Sequence, residues 1–169
     1  MKYFKNCKTA EELKKEYRRL AMKLHPDIVG GDGEEFKVMQ AEFEKLWERL
    51  KNVHKNAKGE TYTKTSETTT ETPKEFINII NTLIRLNGLE VEICGSWIWV
   101  SGNTKEHKEI LKQLGFKFAY KKKAWYYHKD KFRKKSHEEL TMDDIRDMFG
   151  SQRYEQKKDE EKKLQAAIY

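Results

Sequence analysis

The chain has 169 residues, of which 37% are hydrophobic and 37% charged, and its formal net charge is +7. This length allows one domain or two small ones, and the basic surplus favours an anionic partner. The two cysteines, Cys7 and Cys94, form no C-x-x-C pair, which disfavours both a zinc site and a disulfide framework. No apolar run reaches membrane-spanning length, and no signal peptide opens the chain. We therefore expect a cytoplasmic protein with no membrane partner, metal or cofactor.

A basic amphipathic helix is predicted over residues 9–24. Its apolar stripe has helical spacing and comprises Leu13, Tyr17, Leu20, Ala21 and Leu24. Thr9 is a suitable amino-terminal cap, and Pro26 is predicted to end the helix because proline disfavours helical backbone in the residue before it. The rest of the helix surface is expected to face outward and to be basic, with Lys14, Lys15, Arg18, Arg19 and Lys23. This basic face leads into the loop formed by His25, Pro26 and Asp27.

A second long helix is predicted after a glycine-rich connection. Apolar residues recur at spacings of three and four from Phe36 to Leu50. Two amphipathic helices joined by a short loop pack as an antiparallel hairpin, because each buries its apolar stripe against the other. We therefore predict that the first module, residues 1–53, is a helical hairpin.

The stretch KKEYRRLAMKLHPD resembles the second helix and signature loop of J-domains, the co-chaperone module of DnaJ-type proteins. The resemblance implies that this module docks on a DnaK-type heat-shock ATPase and stimulates its ATP hydrolysis. The contact residues that it implies are His25, Pro26, Asp27, Lys14, Lys15, Tyr17, Arg18, Arg19 and Lys23. No nucleophile–base spacing or acidic metal cluster accompanies them, so we predict no catalytic residue and no enzyme. The glycine/phenylalanine-rich tract and the cysteine-repeat zinc domain of the family's general chaperones are both missing.

The remainder of the chain is predicted to contain a linker, a second domain and a tail. Residues 54–72 are polar, threonine-rich and without periodicity, which is typical of a flexible linker. Residues 73–150 have the pattern helix, hairpin, helix, hairpin, with the first hairpin turning at Gly95 and Ser96. This order predicts a small α+β domain with an antiparallel sheet. Residues 151–169 are predicted to be a charged tail, and the fold class of the whole chain is therefore α+β.

The predicted second domain is both basic and aromatic. Residues 73–135 hold 14 basic and 6 acidic residues, so the basic surplus of the chain lies here. A sheet that exposes aromatic rings beside lysines can stack on bases and follow a phosphate backbone. The residues predicted to bind nucleic acid are Trp97, Trp99, Lys121, Lys122, Lys123, Trp125, Tyr126, Lys129, Arg133 and Lys134. Two other interpretations stay open: a surface for an acidic protein, or tryptophans that form a core beneath lysines that only maintain solubility.

The first functional hypothesis is therefore a J-domain co-chaperone that acts as an adaptor. Its His-Pro-Asp loop would stimulate a DnaK-type ATPase, and its basic second domain would direct that ATPase to a target. In the second domain, the successive segments WIWVSGNT, LKQLGFK and KKKAWYY resemble small sheet modules of phage and mobile-element proteins. The alternative hypothesis is accordingly a phage or mobile-element nucleic-acid-binding protein, in which the hairpin is a scaffold or a decoy for the host chaperone.

Overall fold

The computed structural model describes residues 1–56, 58–65, 69–130, 139–149 and 151–155. Within these ranges the chain has the predicted α+β fold, with a helical amino-terminal part followed by two antiparallel sheets. The helices are α1 (Ala10–Leu24), α2 (Pro26–Val29), α3 (Glu34–Leu50), α4 (Pro73–Arg85), α5 (Lys108–Gln113) and α6 (Met142–Phe149). The strands are β1 (Val53–Lys55), β2 (Thr61–Thr63), β3 (Leu89–Cys94), β4 (Trp97–Gly102), β5 (Lys117–Ala119), β6 (Ala124–Tyr127) and β7 (Ser151–Glu155).

The helix starts follow the capping residues that the sequence contains. The Thr9 hydroxyl accepts the Glu12 N–H at 3.3 Å and caps α1. Thr72 and Glu75 form a complete capping box at the start of α4, where Pro73 occupies the first helical position. Since these caps satisfy backbone N–H groups that have no partner inside the helix, they determine where both helices begin.

The main sheet has five antiparallel strands in the order β5-β6-β4-β3-β7. The β3–β4 hairpin turns at Gly95, whose φ of 59° is the left-handed conformation that glycine adopts without steric cost. The pairing of Glu92 with Trp99 defines the register of this hairpin. One face of the sheet carries Val91, Ile98 and Val100 toward α4, and the other face carries Trp99 toward α6.

A single hydrophobic core joins the helical hairpin to the sheet through α4. The Phe76 ring of α4 stacks on Phe43 at 5.6 Å and on Trp47 at 6.2 Å, and it meets the edge of Tyr17 at 5.8 Å. Fully burying a phenylalanine side chain contributes roughly 1.5–3 kcal/mol. Separating α4 from the hairpin would expose Phe76 and the surfaces of the three hairpin rings that it covers, so the cost would be at least of this order. Since a whole domain is stable by only about 5–15 kcal/mol, the two parts of the chain are expected to fold together.

The prediction that residues 54–72 are an irregular linker is wrong for the start of that segment. Strands β1 and β2 pair there as a small antiparallel hairpin, with His54 opposite Tyr62. His54 Nδ1 lies 2.5 Å from a Glu11 carboxylate oxygen of α1, which holds the hairpin against the first helix. At the other end of the segment, Thr70 donates its N–H to the Asp130 carboxylate at 2.7 Å. Hydrophobic periodicity in the sequence does not reveal that this segment is ordered, because it is held by single polar contacts to residues far away in the chain.

The predicted tail also begins with regular structure. Strand β7 pairs with β3 at one edge of the main sheet, with Val91 opposite Tyr154. The rest of the predicted tail, residues 156–169, lies outside the described residues. The boundaries 1–53, 54–72, 73–150 and 151–169 therefore stay a prediction. Across the described part of the chain, no helix is both long enough and apolar enough to span a membrane.

Candidate functional site

The His-Pro-Asp loop is a tight junction between α1 and α2. Pro26 ends α1 as predicted, and it also begins α2 as that helix's first residue. His25 caps α2, because its Nδ1 accepts the Asp27 N–H at 3.2 Å. The His25 ring is 2% exposed and packs on the Phe36 ring at 4.9 Å. Burial lowers the pKa of His25, so the imidazole is a neutral structural cap whereas Asp27 faces outward.

The exposed carboxylate of the loop is bound by the second half of the chain. Arg85, the last residue of α4, donates from Nε to the Asp27 carboxylate at 2.8 Å. Both side chains are more than half exposed, so this ion pair contributes only about 0–1 kcal/mol. The Arg85 charge also helps to lower the pKa of His25, after burial as the main cause. A partner group that binds Asp27 must therefore compete with a weak intramolecular contact.

Besides His25, three predicted contact residues of α1 are buried, contrary to the prediction that they face a partner. Tyr17 and Arg18 are almost inaccessible, and Lys14 is 5% exposed. Lys14 Nζ forms an ion pair with buried Glu71 and lies 5.3 Å from the Trp47 ring. The Tyr17 hydroxyl lies within hydrogen-bond distance of Asn81 at 3.3 Å, and burial raises the pKa of Tyr17 to about 12. We name Lys14, Tyr17 and Arg18 the buried stripe.

The other predicted basic residues form a second stripe along α1, which remains accessible. Lys15, Arg19 and Lys23 are four residues apart and therefore share one helix face, and we name them the open stripe. Lys23 is exposed, and Lys15 and Arg19 are half-buried. Arg19 Nε donates to the Glu16 carboxylate at 2.9 Å. The open stripe runs along α1 toward its carboxyl end, and the exposed Asp27 follows in α2, three residues after α1 ends.

The predicted nucleic-acid-binding residues do not form one surface. Trp125 belongs to the main core and Trp99 packs beneath α6, so both are nearly buried and neither can stack on a base. Trp97 and Tyr126 are half-buried on the α6 side of the sheet, with ring centroids 5.7 Å apart. The strand pairing explains why these side chains lie on different faces of the sheet. Trp125 pairs with Val100, whereas Tyr126 pairs with Trp99 on the opposite face.

The lysines of the same prediction lie at the other end of the sheet from Trp97. Lys121, Lys122 and Lys123 form the turn before β6, whereas Trp97 begins β4 and lies beside the end of β6. Lys129 is bound to the Glu75 carboxylate at 2.8 Å. Arg133 and Lys134 lie outside the described residues. The predicted single basic and aromatic groove is therefore wrong as a contiguous surface.

A cavity of about 520 Å³ lies where α1, the β1–β2 hairpin and the β3–β4 turn meet. Trp97 lines it and stacks on the His128 ring at 4.4 Å. His128 Nδ1 donates to the Asp130 carbonyl at 2.7 Å, so Nε2 accepts from the Ser96 hydroxyl at 2.9 Å. Burial lowers the pKa of His128, which is consistent with this neutral tautomer. These contacts tie the β3–β4 turn to the end of β6.

Sequence reasoning missed four residues that matter to these sites. Arg85 and Glu71 were not identified, because a salt bridge between distant segments leaves no local signal. Phe118 and Tyr120 are not among the predicted nucleic-acid-binding residues, yet both are exposed beside the lysine turn. Among the described residues, no group of three or more His, Cys, Asp or Glu side chains is placed to hold a metal ion.

The fold and the loop define an α+β protein whose first part is a basic helical hairpin with a His-Pro-Asp junction, of which Asp27 is exposed. A 46-residue segment of the chain is 54% identical to Chaperone protein DnaJ 1 of Cutibacterium acnes (strain DSM 16379 / KPA171202). The segment is 27% of this chain and only 12% of DnaJ 1, so most of that protein has no counterpart in the match. The identity supports a relation to the J-domain family. No protein-family model matches the chain, and no solved structure matches it.

Proposed function

We propose that this protein is a non-enzymatic J-domain co-chaperone that stimulates the ATPase of a DnaK-type chaperone. The observation that carries the proposal is the exposed Asp27, placed at the end of the open stripe on a loop held rigid by Pro26 and the His25 cap. The 54% identity of the matching segment to DnaJ 1 also supports the proposal. The two free cysteines, Cys7 and Cys94, fit a reducing compartment such as the cytoplasm.

The proposed docking surface is narrower than the one that the sequence suggests. Lys15, Arg19 and Lys23 would face an acidic surface of the chaperone and accelerate encounter, because complementary charges mainly raise the association rate. Asp27 would form a charge-assisted hydrogen bond to a cation of the chaperone after displacing Arg85. The buried stripe has a different role in this proposal, since Lys14 and Tyr17 contact Phe76 of α4 and Arg18 is buried.

The proposed role of the second half is to direct the chaperone to a target. Its basic surplus and its exposed aromatic side chains favour an anionic target, either single-stranded nucleic acid or an acidic protein. The alternative function is a phage or mobile-element nucleic-acid-binding protein in which the hairpin is a scaffold or a decoy. The hydrophobic core that continues through α4 supports this alternative, because it makes the hairpin part of the framework on which the second half folds.

Single-turnover ATP hydrolysis by a DnaK-type chaperone distinguishes the two functions. The full-length protein should accelerate hydrolysis, and Asp27→Asn should abolish the acceleration while the circular dichroism spectrum stays unchanged. Asp32→Asn in the following loop is the matched control, because Asp32 is exposed but lies outside the tripeptide. Equal acceleration by the parent and Asp27→Asn would reject the co-chaperone proposal and favour the scaffold or decoy.

A further inference from the structure

The turn between β5 and β6 combines exposed aromatic rings with lysines at one rim of the sheet. Tyr120 is 84% exposed and Phe118 is 36% exposed, and their ring centroids lie 5.1 Å apart in an edge-to-face arrangement. The buried Trp125 ring lies 5.4 Å from Phe118 and supports it from the core side. Because Tyr120 is so largely exposed, most of its ring surface is open to solvent.

The charge around these rings is uniformly positive over the described turn. Lys117 precedes Phe118, and Lys121, Lys122 and Lys123 follow Tyr120, with no acidic residue between Lys117 and Lys129. The turn is ordered by backbone hydrogen bonds, since the Lys122 N–H donates to Ala119 and the Lys123 N–H donates to Tyr120. Lys121 also forms an ion pair with Glu139 at 2.6 Å. The lysines are therefore held beside the rings by the backbone.

The backbone of Lys123 adds an independent observation. Its φ of 50° lies in the left-handed region, where a residue with a Cβ is uncommon and glycine would be favoured. Lysine occupies this position although its conformation is unfavourable there. Non-glycine residues in such conformations concentrate at functional sites, where the surrounding structure maintains the strain.

We propose that Phe118, Tyr120 and the turn lysines Lys121, Lys122 and Lys123 form a binding site for single-stranded nucleic acid. Tyr120 would stack on a base, with Phe118 as its support, and the lysines would contact the adjoining phosphates. This site deepens the proposed function, since it would supply the target-binding surface of the adaptor. It differs from the groove predicted around Trp97 and Trp125, which the fold does not assemble.

An acidic peptide is the competing occupant of the same rim, and strand length argues against it. Strand β5 ends the sheet order and has only three residues, Lys117–Ala119. A peptide that extends the sheet gains its affinity from main-chain hydrogen bonds, and so short an edge offers few of them. A base needs only an open ring face and a nearby cation, and both are present here.

Fluorescence anisotropy with labelled oligodeoxythymidine tests the site in the full-length protein at low salt. Tyr120→Ala should weaken binding by roughly 5- to 150-fold, which corresponds to the loss of one stacked base. Tyr62→Ala is the matched control, because Tyr62 is an exposed tyrosine at 45% on the separate β1–β2 hairpin. The control should bind like the parent.

The salt dependence of the same binding reports the lysines. Lys123→Gly should reduce the steepness of log K against log salt by about 0.7, the value for one phosphate contact to a single strand. This variant also relieves the unfavourable backbone of Lys123, so weaker binding cannot be attributed to unfolding. Lys37→Gln, which removes an exposed and ion-paired lysine of α3, should leave the dependence unchanged. Tyr120→Ala should lower affinity without changing the slope.

Three results would overturn the proposal. They are no binding at low ionic strength, equal binding by the parent and Tyr120→Ala, and displacement of the oligonucleotide by an equal concentration of polyglutamate. The last result would assign the rim to an acidic protein. Because no chaperone is present in this assay, its failure leaves the ATPase result with Asp27→Asn intact, and failure of the ATPase test leaves the nucleic-acid site intact.

Discussion

The two stripes of α1 both carry a lysine and an arginine, but their environments are opposite. The buried stripe places Lys14 and Arg18 inside the protein, where Lys14 meets Glu71 and the rings of α3 and α4. The open stripe leaves Lys23 and part of Arg19 in solvent. Charge on a helix is therefore a poor guide to its role, because the partner of a cation can be a distant part of the same chain.

The largest expected effect comes from breaking the buried stripe. Glu71→Gln would leave Lys14 buried without its counterion, and removing one member of a buried pair costs about 3–5 kcal/mol. Urea unfolding followed by circular dichroism should show this loss. The double variant Lys14→Met/Glu71→Leu should recover most of it, since both charges are then absent. A Glu71→Gln protein as stable as the parent would show that this ion pair does not join the two halves.

The open stripe should show the reverse pattern, a loss of association without a loss of stability. Replacing Lys15, Arg19 and Lys23 together by Gln should change the free energy of unfolding by less than about 1 kcal/mol, because exposed charges contribute little. Association with a DnaK-type chaperone should slow roughly tenfold at low salt, measured by stopped-flow fluorescence. Unchanged association at low salt would remove the open stripe from the docking surface.

A smaller effect is expected where the second half touches the docking loop. Arg85→Ala frees the Asp27 carboxylate from a surface ion pair that contributes at most about 1 kcal/mol, so chaperone affinity should rise by up to about fivefold. Lys74→Ala, at the exposed opposite end of α4, is the control. Weaker stimulation by Arg85→Ala than by the control would indicate that Arg85 contacts the chaperone directly.

The smallest effect concerns pH and the His25 cap. The pKa of His25 is lowered in the folded protein. Below about pH 6.5 the unfolded chain therefore binds more protons at this residue than the folded protein does. The stability contributed by the neutral imidazole is present above that pH and is lost as the pH decreases toward the folded pKa. His25→Gln should flatten this part of the unfolding curve. The pKa of His128 is also lowered by burial, so His25→Gln/His128→Gln should flatten the curve further than His25→Gln alone.

Limited proteolysis tests whether the helical hairpin and the second half of the chain are independent domains. The sequence predicts first cleavage within residues 54–72, with two stable fragments. The shared core through Phe76 leads us to expect that a cut there leaves the fragments associated under native gel filtration, because four aromatic rings meet across the junction. If the two fragments separate and each stays folded, the sequence-based prediction of two independent modules would be correct.

Several features could be predicted from local sequence because their causes are local. Caps, proline positions and apolar periodicity predicted α1, α3 and α4, and alternation around Gly95 predicted the β3–β4 hairpin. The α+β fold class is confirmed for the same reason. The β1–β2 hairpin and strand β7 were missed, since their short polar strands have no apolar alternation to reveal them.

The sequence by itself determined the His-Pro-Asp junction, since Pro26 ends one helix and begins the next through its own ring geometry and missing N–H. It also determined that α1 is basic. Only the tertiary structure decided which of those basic residues face solvent, because α4 and Glu71 arrive from elsewhere in the chain and cover one stripe. The same holds for the aromatics: strand pairing buried Trp99 and Trp125 and left Tyr120 open, since burial depends on the neighbouring strands.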